Sequence, residues 1–263
     1  MKKTLLKSFA LAMMLVALPL SAAVTPAGGT IHLVGGGETK GKEIRWLPSA
    51  KKYTVRTDKM STEVMADEVA SLEITRPKEL DKAINDKDIA VLKEIVEAYN
   101  NLQHDLEAAQ HLCDIYLDKG QYDDIVKLVE GKAKNDETLE YQGVLAPRYW
   151  AALIEKGKGS ELERQIKKAL NSDDEETVAS AYVARGNLAM KKGSNAVNCR
   201  EALINGYLRV ILLYPRTGSE AYAEALYKGG QAFVGMGHVS TKNELYKTLK
   251  SACKNSKWAK LAK

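Results

Sequence analysis

The stretch that decides the fold is residues 198–237, which read NCREALINGYLRVILLYPRTGSEAYAEALYKGGQAFVGMG. Its first half is rich in Ile, Leu and Val, and Pro215 predicts the end of a helix because proline cannot continue the helical hydrogen-bond pattern. Its second half predicts another helix, which ends at Gly237. One face of this helix is expected to consist of Ala223, Leu226, Gly230 and Phe233. The stretch therefore predicts a stack of antiparallel helix pairs, with one pair ending where the next begins.

Glycines recur after the predicted helices in the C-terminal half of the chain. The helices predicted over 104–119, 148–156, 178–192 and 221–236 are followed by Gly120, Gly157, Gly193 and Gly237. These glycines are 37, 36 and 44 residues apart, and a period in the mid-thirties is typical of helical-hairpin arrays. Each glycine suits a left-handed helix end, which other residues resist. We ascribe the long third interval to an insertion around 194–198.

The repeated segments resemble tetratricopeptide repeats over about 150 residues. In that family the first helix carries a small residue seven positions before the turn glycine and an aromatic residue four before it. The two best copies place these three residues at Cys113, Tyr116 and Gly120, and at Gly230, Phe233 and Gly237. Two copies depart from the pattern, with Ala189 in the aromatic place and Trp150 in the small one. The sequence of this segment resembles the repeat domains of periplasmic proteins in outer-membrane assembly and envelope division.

The resemblance implies a concave binding surface on the first helix of each hairpin. The position six before the turn glycine often faces the ligand in this family, and here it holds Asp114, Ala151, Asn187 and Gln231. Asp, Asn and Gln suit hydrogen bonding to a peptide, and Tyr227 lies one helical turn from Gln231. We expect Asp114, Asn187, Gln231 and Tyr227 to bind a protein or peptide partner. Solvated helix surface, or packing in the case of Tyr227, is the open alternative.

Residues 30–76 have a different character, with short runs rich in Thr, Val, Ile and aromatic residues. Five runs, TIHLV, EIRWL, YTVRT, TEVMA and SLEIT, are separated by turn residues and predict five strands. The stretch resembles an SH3-like or Sm-like small β-barrel. Trp46 is expected in its core or rim, and a role in a glycan-binding groove is the alternative. The predicted fold is therefore a multidomain chain with a small all-β barrel followed by an all-α tetratricopeptide-like solenoid.

The domain boundaries follow from changes of pattern along the chain. Residues 1–23 combine three lysines, an apolar run of about a dozen residues and a small-residue cleavage site, which predicts a signal peptide. No cysteine follows for a lipid anchor, and no later segment is apolar enough to span a membrane, so a periplasmic or secreted location is expected. Pro77 begins a helical coupling segment over 77–100, the repeats cover 103–255, and 256–263 is expected to be a frayed basic tail.

Composition and motifs argue against several functional classes. The net charge of +5 falls to +2 without the three lysines of the signal peptide, unlike the strongly basic footprint of a nucleic-acid binder. The sequence contains no GxSxG, HExxH or CxxC, so neither an enzyme, a metal site nor a cofactor is expected. The cysteines are expected to be buried, and Cys199 with Cys253 is the pair favoured for any disulfide.

These observations lead to two expected functions. The first is a non-enzymatic bacterial periplasmic adaptor or scaffold, active in cell-envelope organisation, whose groove holds a protein or peptide. The alternative is a module that binds peptidoglycan through Trp46 and the barrel. Charged substitutions at Asn187 and Gln231 are expected to weaken partner capture without lowering the melting temperature.

Overall fold

The computed structural model describes residues 24–262, in which a region of β-strands precedes a larger helical region. The predicted signal peptide, 1–23, lies outside the described residues. The strands are β1 Gly29–Leu33, β2 Glu38–Gly41, β3 Glu43–Leu47, β4 Lys52–Arg56, β5 Ser61–Met65 and β6 Val69–Ile74. They pair antiparallel as two three-stranded sheets, in the orders β2-β1-β6 and β3-β4-β5. The expected order of a β region before an α region is confirmed.

The two sheets differ from the expected single closed barrel. Strand pairing within the described residues stops at three strands in each sheet, so the ladder does not run continuously around a barrel. The sequence patterns also missed β2, because ETKG has no apolar residue and no buried position. The inward positions of the remaining strands, such as Ile31, Ile44 and Val55, are almost completely buried because side chains alternate between the two faces of a strand.

The helical region contains twelve α-helices between residues 80 and 261. They are α1 Leu80–Asp86, α2 Ile89–Ala98, α3 Asp105–Asp118, α4 Tyr122–Ala133, α5 Ala146–Glu155, α6 Gly159–Ala169, α7 Glu175–Lys191, α8 Ala196–Ala202, α9 Leu208–Leu213, α10 Glu220–Gly235, α11 Val239–Ala252 and α12 Lys257–Leu261. A π-helical turn at Leu203–Tyr207 joins α8 to α9. Consecutive helices pack as four hairpins: α3 with α4, α5 with α6, α7 with α8–α9, and α10 with α11.

The glycine at the turn of each hairpin has the predicted conformation. Gly120, Gly157, Gly193 and Gly237 have φ values of +67°, +67°, +128° and +84°, a region that strains residues with a Cβ. The backbone N–H groups at these turns close the first helix, as Gly120 N donates to Leu117 O at 3.1 Å. The turn positions read from the sequence are therefore confirmed.

The long third interval has a different origin from the predicted insertion at 194–198. The second helix of the third hairpin runs over 196–213 as α8, the π turn and α9, whereas α4 has 12 residues and α6 has 11. The additional residues therefore lengthen this helix. The π turn interrupts the regular helical period within this segment, because such a turn adds a residue to one helical turn.

The β region and the first helices share one hydrophobic core. The buried residues of the strands and of α1 to α6 form a single cluster, and a second cluster holds together most of the third and fourth hairpins. Gln103, just before α3, receives a hydrogen bond from Ile74 N and donates one to Leu72 O, both at 2.8 Å. Its amide thus pairs with the edge strand β6 as a neighbouring strand would.

The three cysteines are buried free thiols. Cys199 and Cys253 belong to the same hydrophobic cluster but are not bridged. Burial raises the pKa of the Cys113 thiol to about 12, so this side chain stays protonated near neutral pH. All three therefore contribute as small apolar side chains.

The C-terminal end differs from the frayed basic tail expected for 256–263. Ser256 Oγ accepts a hydrogen bond from Ala259 N at 3.1 Å and caps α12, and Ala262 is buried.

Of the helices within residues 24–262, none is both long enough and apolar enough to cross a bilayer.

Candidate functional site

A groove runs along the first helices of the four hairpins. Its central part, of about 430 Å³, is lined by residues of α3, α5, α7 and α10. Ala151 and Asn187 continue into an extension of about 410 Å³ that reaches Gln231. Asp114 and Trp258 continue into another extension, of about 830 Å³, beside α12. The shared lining residues make these three volumes one surface, hereafter the groove.

A hydrogen-bonded network is part of the lining of the groove. Asn187 Oδ1 accepts hydrogen bonds from Tyr207 Oη at 2.9 Å and from Lys228 Nζ at 3.0 Å. Asn187 Nδ2 donates to Glu224 Oε1 at 2.9 Å, and Lys228 lies 2.7 Å from the same carboxylate, one helical turn away. The amide is thus satisfied on both sides, so a charged substitution at Asn187 would break a partly buried network.

The π turn brings Tyr207 into this network. Gly206, in the same turn, packs directly on Gly186 of α7, where neither residue has space for a side chain. The two helices therefore approach closely enough for the Tyr207 ring to lie against α7 and for its hydroxyl to reach Asn187. Burial raises the pKa of Tyr207 well above its usual value, so the hydroxyl keeps its proton and acts as a donor.

A buried arginine, Arg148, also lines the groove. Arg148 of α5 donates from Nε and Nη2 to the two oxygens of Asp114, at 2.9 and 3.1 Å, and from Nη1 to Val144 O. Burial by itself would lower the pKa of Arg148, but the hydrogen bonds and charge of Asp114 outweigh it and raise the pKa. Glu220 lies 3.5 Å from the same guanidinium and 3.3 Å from Lys257.

The carboxylates of the groove outnumber its cations. Five acidic side chains line the central part, Asp114, Asp174, Glu176, Glu220 and Glu224, against Arg148, Lys228 and Lys257. Apolar side chains lie between them, among them Leu117, Pro147, Ile154 and Val183. A surface of this kind can bury apolar side chains of a bound segment and favours a segment that carries positive charge.

The predicted site residues take different positions. Asp114, Asn187 and Gln231 all line the groove, and Gln231 is exposed. Tyr227 does not line it, because its ring stacks on Tyr246 and packs against Trp258, each with a centroid distance of 5.4 Å.

Trp46, the residue singled out for glycan binding, lies in β3, away from the groove. Its ring packs on Tyr53 of β4, with centroids 4.7 Å apart. Its indole nitrogen is buried and without a hydrogen-bond partner among the described residues. The ring is half-buried against the core rather than presented flat to solvent.

Two cations of the groove were missed by the sequence analysis although a signal for them exists. Arg148 and Lys228 stand nine positions before Gly157 and Gly237. That is one helical turn from the positions chosen at Ala151 and Gln231, and therefore on the same helix face. Trp258 had no such signal, because α12 reaches the groove only by folding back on α10.

The Glu224 carboxylate should give stability a measurable pH dependence. Burial alone would raise the pKa of Glu224, but the charge of Lys228 and hydrogen bonds from Lys228 and Asn187 outweigh it, and the pKa is lowered. A lowered carboxyl pKa contributes stability above the unfolded pKa and loses it as the pH falls through the folded pKa. At pH 7 we expect Glu224→Gln to lower the free energy of unfolding by about 1–2 kcal/mol.

Thermal unfolding across the acid range checks this expectation. The difference in melting temperature between wild type and Glu224→Gln should be largest at neutral pH and should shrink between about pH 5 and pH 3. The control is Glu163→Gln, at an exposed position of α6, which should leave the profile unchanged. A pH-independent difference for Glu224→Gln would contradict the role of its charge.

Within residues 24–262, no group of three or more His, Cys, Asp or Glu side chains is placed to hold a metal ion. Comparison with protein-family models and with curated proteins finds no match to this chain.

Proposed function

We propose that this protein is a non-enzymatic adaptor that holds a segment of a protein partner in the groove. The observation that carries the proposal is the groove itself, to which all four hairpins contribute a first helix. The groove offers apolar surface between side chains that can donate or accept hydrogen bonds, which is what recognition of a peptide segment requires.

The hairpins are inferred to be tetratricopeptide-like repeats. Support comes from the positive φ of the four turn glycines and from the small buried residues Cys113 and Gly230, seven positions before two of them. The inferred repeat explains why the groove runs along the first helices, since stacked hairpins present the same face of each unit.

Residues 30–76 are inferred to be a small, partly open barrel of the SH3-like or Sm-like type, built from the two sheets and acting as a second contact or a spacer. Only Lys42 separates β2 from β3, so one bent segment joins the two sheets. Ile44 N also donates to Ala27 O at 2.6 Å, which links β3 to the chain just before β1. The packing of Trp46 on Tyr53 favours the groove over this region as the main binding surface, so we do not propose the glycan-binding alternative.

Export to the bacterial periplasm, and action within the cell envelope, are part of the proposal. They are supported by the sequence of residues 1–23, with its lysines, apolar run and small residues.

In-cell photo-crosslinking tests the adaptor function. A photoreactive amino acid at position 231, which is exposed in the groove, is expected to capture one discrete protein. The same probe at position 247, exposed on α11 and outside the groove, should not. A third probe is placed at position 46, in β3. Equal capture from positions 231 and 247, or strong capture from position 46 alone, would overturn the groove as the binding site.

A substitution at the same position separates binding from stability. Gln231→Lys is expected to reduce capture severalfold while changing the free energy of unfolding by less than about 0.5 kcal/mol, because the side chain is exposed. Asn187 is not suited to this test, contrary to the expectation from sequence, because its network also contributes to stability. Capture unchanged by Gln231→Lys would count against this end of the groove.

A further inference from the structure

The C-terminal helix α12 occupies one end of the groove. Trp258 lines both the central part and the extension beside α12, and Lys257 accompanies it in each. The Trp258 ring packs against Tyr227 of α10 with a centroid distance of 5.4 Å. Lys228 Nζ lies 5.2 Å from the centre of the indole ring, and Lys257 Nζ lies 5.0 Å from it.

The charge of the groove explains why this segment fits there. Without Lys257, the central part has five carboxylates and two cations among its lining residues. Lys257 Nζ lies 3.3 Å from Glu220 and supplies a positive charge at the end where α12 sits. The adjacent indole covers the apolar ring of Tyr227. An aromatic side chain next to a cation is therefore the chemistry that complements this end of the groove.

The polar contacts of α12 add little stability. Its ion pair joins side chains that are 55% and 50% exposed, and such pairs add little stability because water screens them. The helix has five residues, too few to be stable by itself. The Trp258 indole nitrogen is buried without a hydrogen-bond partner among residues 24–262. Burying an unpaired donor has a free-energy cost, which disfavours this position of α12. The segment is thus complementary in chemistry and is held mainly by the apolar packing of Trp258 and the buried Ala262.

We propose that α12 is an internal competitor for the groove, and that the partner segment which displaces it carries an aromatic side chain beside a lysine or arginine. The proposal rests on the proposed function and adds the chemistry of the partner and a limit on its affinity. A partner must exceed the affinity of a tethered segment, which is present at a high effective concentration.

A peptide copied from the C-terminus provides the probe. A fluorescein-labelled peptide with the sequence of residues 254–262, KNSKWAKLA, is titrated with the full chain and followed by fluorescence anisotropy. The full-length Trp258→Ala variant is expected to bind this peptide at least tenfold more tightly than wild type, because its own α12 no longer competes. Lys260→Ala, at an exposed position of the same helix, is the matched control and should bind as wild type does.

Two changes in the peptide test the chemistry. Replacing Trp258 by Ala in the peptide should abolish the tight binding to the Trp258→Ala protein, and replacing Lys257 by Glu should weaken it severalfold. Equal binding of the parent and altered peptides would overturn the aromatic–cation specificity. Equal binding of the parent peptide to wild-type and Trp258→Ala proteins would overturn the competition.

A second variant keeps the test decisive if Trp258→Ala does not fold. Lys257→Glu replaces an exposed side chain and sets like charges at Glu220, so it should release α12 and tighten binding of the parent peptide severalfold; unchanged binding would overturn the competition. Crosslinking from position 231 probes the extension of the groove that α12 does not line. A discrete partner captured there while the peptide experiments fail would leave the adaptor function standing and remove only this inference.

Discussion

Gly206→Ala is expected to lower the free energy of unfolding by about 3 kcal/mol. A Cβ at Gly206 would lie 2.6 Å from Gly186 N, 2.7 Å from Gly186 Cα and 2.8 Å from Tyr182 O. All three atoms belong to the backbone of α7, so no change of rotamer relieves the overlap. The π turn and α7 must move apart, and Tyr207 then loses its position against Asn187.

Differential scanning calorimetry or thermal circular dichroism measures the effect. For a chain of this size, about 3 kcal/mol corresponds to a melting temperature lower by roughly 6–12 °C. Gly131→Ala is the matched control, because Gly131 lies inside α4, is exposed and has no atom within 4 Å of an added Cβ. That variant should gain about 0.5–1 kcal/mol from helix propensity. A melting temperature for Gly206→Ala close to that of wild type would show that the two helices are not in contact.

Lys132→Met is expected to destabilise the protein by about 3–5 kcal/mol. Lys132 Nζ lies 2.8 Å from Asp105 Oδ2, and the two side chains are only 8% and 5% exposed. The same carboxylate oxygen accepts a hydrogen bond from Asn101 N at 2.9 Å. Methionine fills the space of the lysine stem but leaves a buried carboxylate without its counter-ion, which is the costly arrangement.

The double variant Lys132→Met with Asp105→Asn identifies the cause. The amide is neutral and its oxygen still accepts from Asn101 N, so we expect chemical denaturation to show that much of the lost stability returns. If the double variant is as unstable as Lys132→Met, the loss comes from packing of the lysine stem and not from the unpaired charge.

Neither Gly206 nor Lys132 could be singled out from the sequence, unlike the turn glycines. The turn glycines could be located from sequence because a left-handed helix end is a local demand that glycine meets best. Gly206 gives no such signal, since it sits inside a helix, where glycine is locally unfavourable. Glycine is required at position 206 because α7 packs closely against it. The Lys132–Asp105 pair also depends on a distant contact, since its residues are 27 positions apart.

The strand region shows the same limit. The strands with apolar inward positions were found from alternation, whereas β2, whose side chains are all at least partly exposed, carries no alternating pattern to detect. The division of the strands into two sheets depends on which edges pair, and alternation within a strand does not specify its neighbours.

The part of the groove formed by one helix face could be predicted from the spacing of residues relative to the turn glycines. Asp114, Ala151, Asn187 and Gln231 share a position relative to four turn glycines, and the structure places all four on one surface. Extending the same face by one turn leads to Arg148 and Lys228. Tyr227 was chosen by proximity along the helix, and its ring turns instead toward Tyr246 and Trp258.

Local chemistry along the chain thus specified the β-then-α order, the helix pairs, their turns and the helix faces that line the groove, because each depends on residues within one or two helical turns. The length of the helix over 196–213, the Tyr207–Asn187–Glu224–Lys228 network and the return of α12 onto α10 depend on close approach between segments far apart in sequence. Such contacts follow from packing and the pairing of buried polar groups, which no single stretch of the chain encodes.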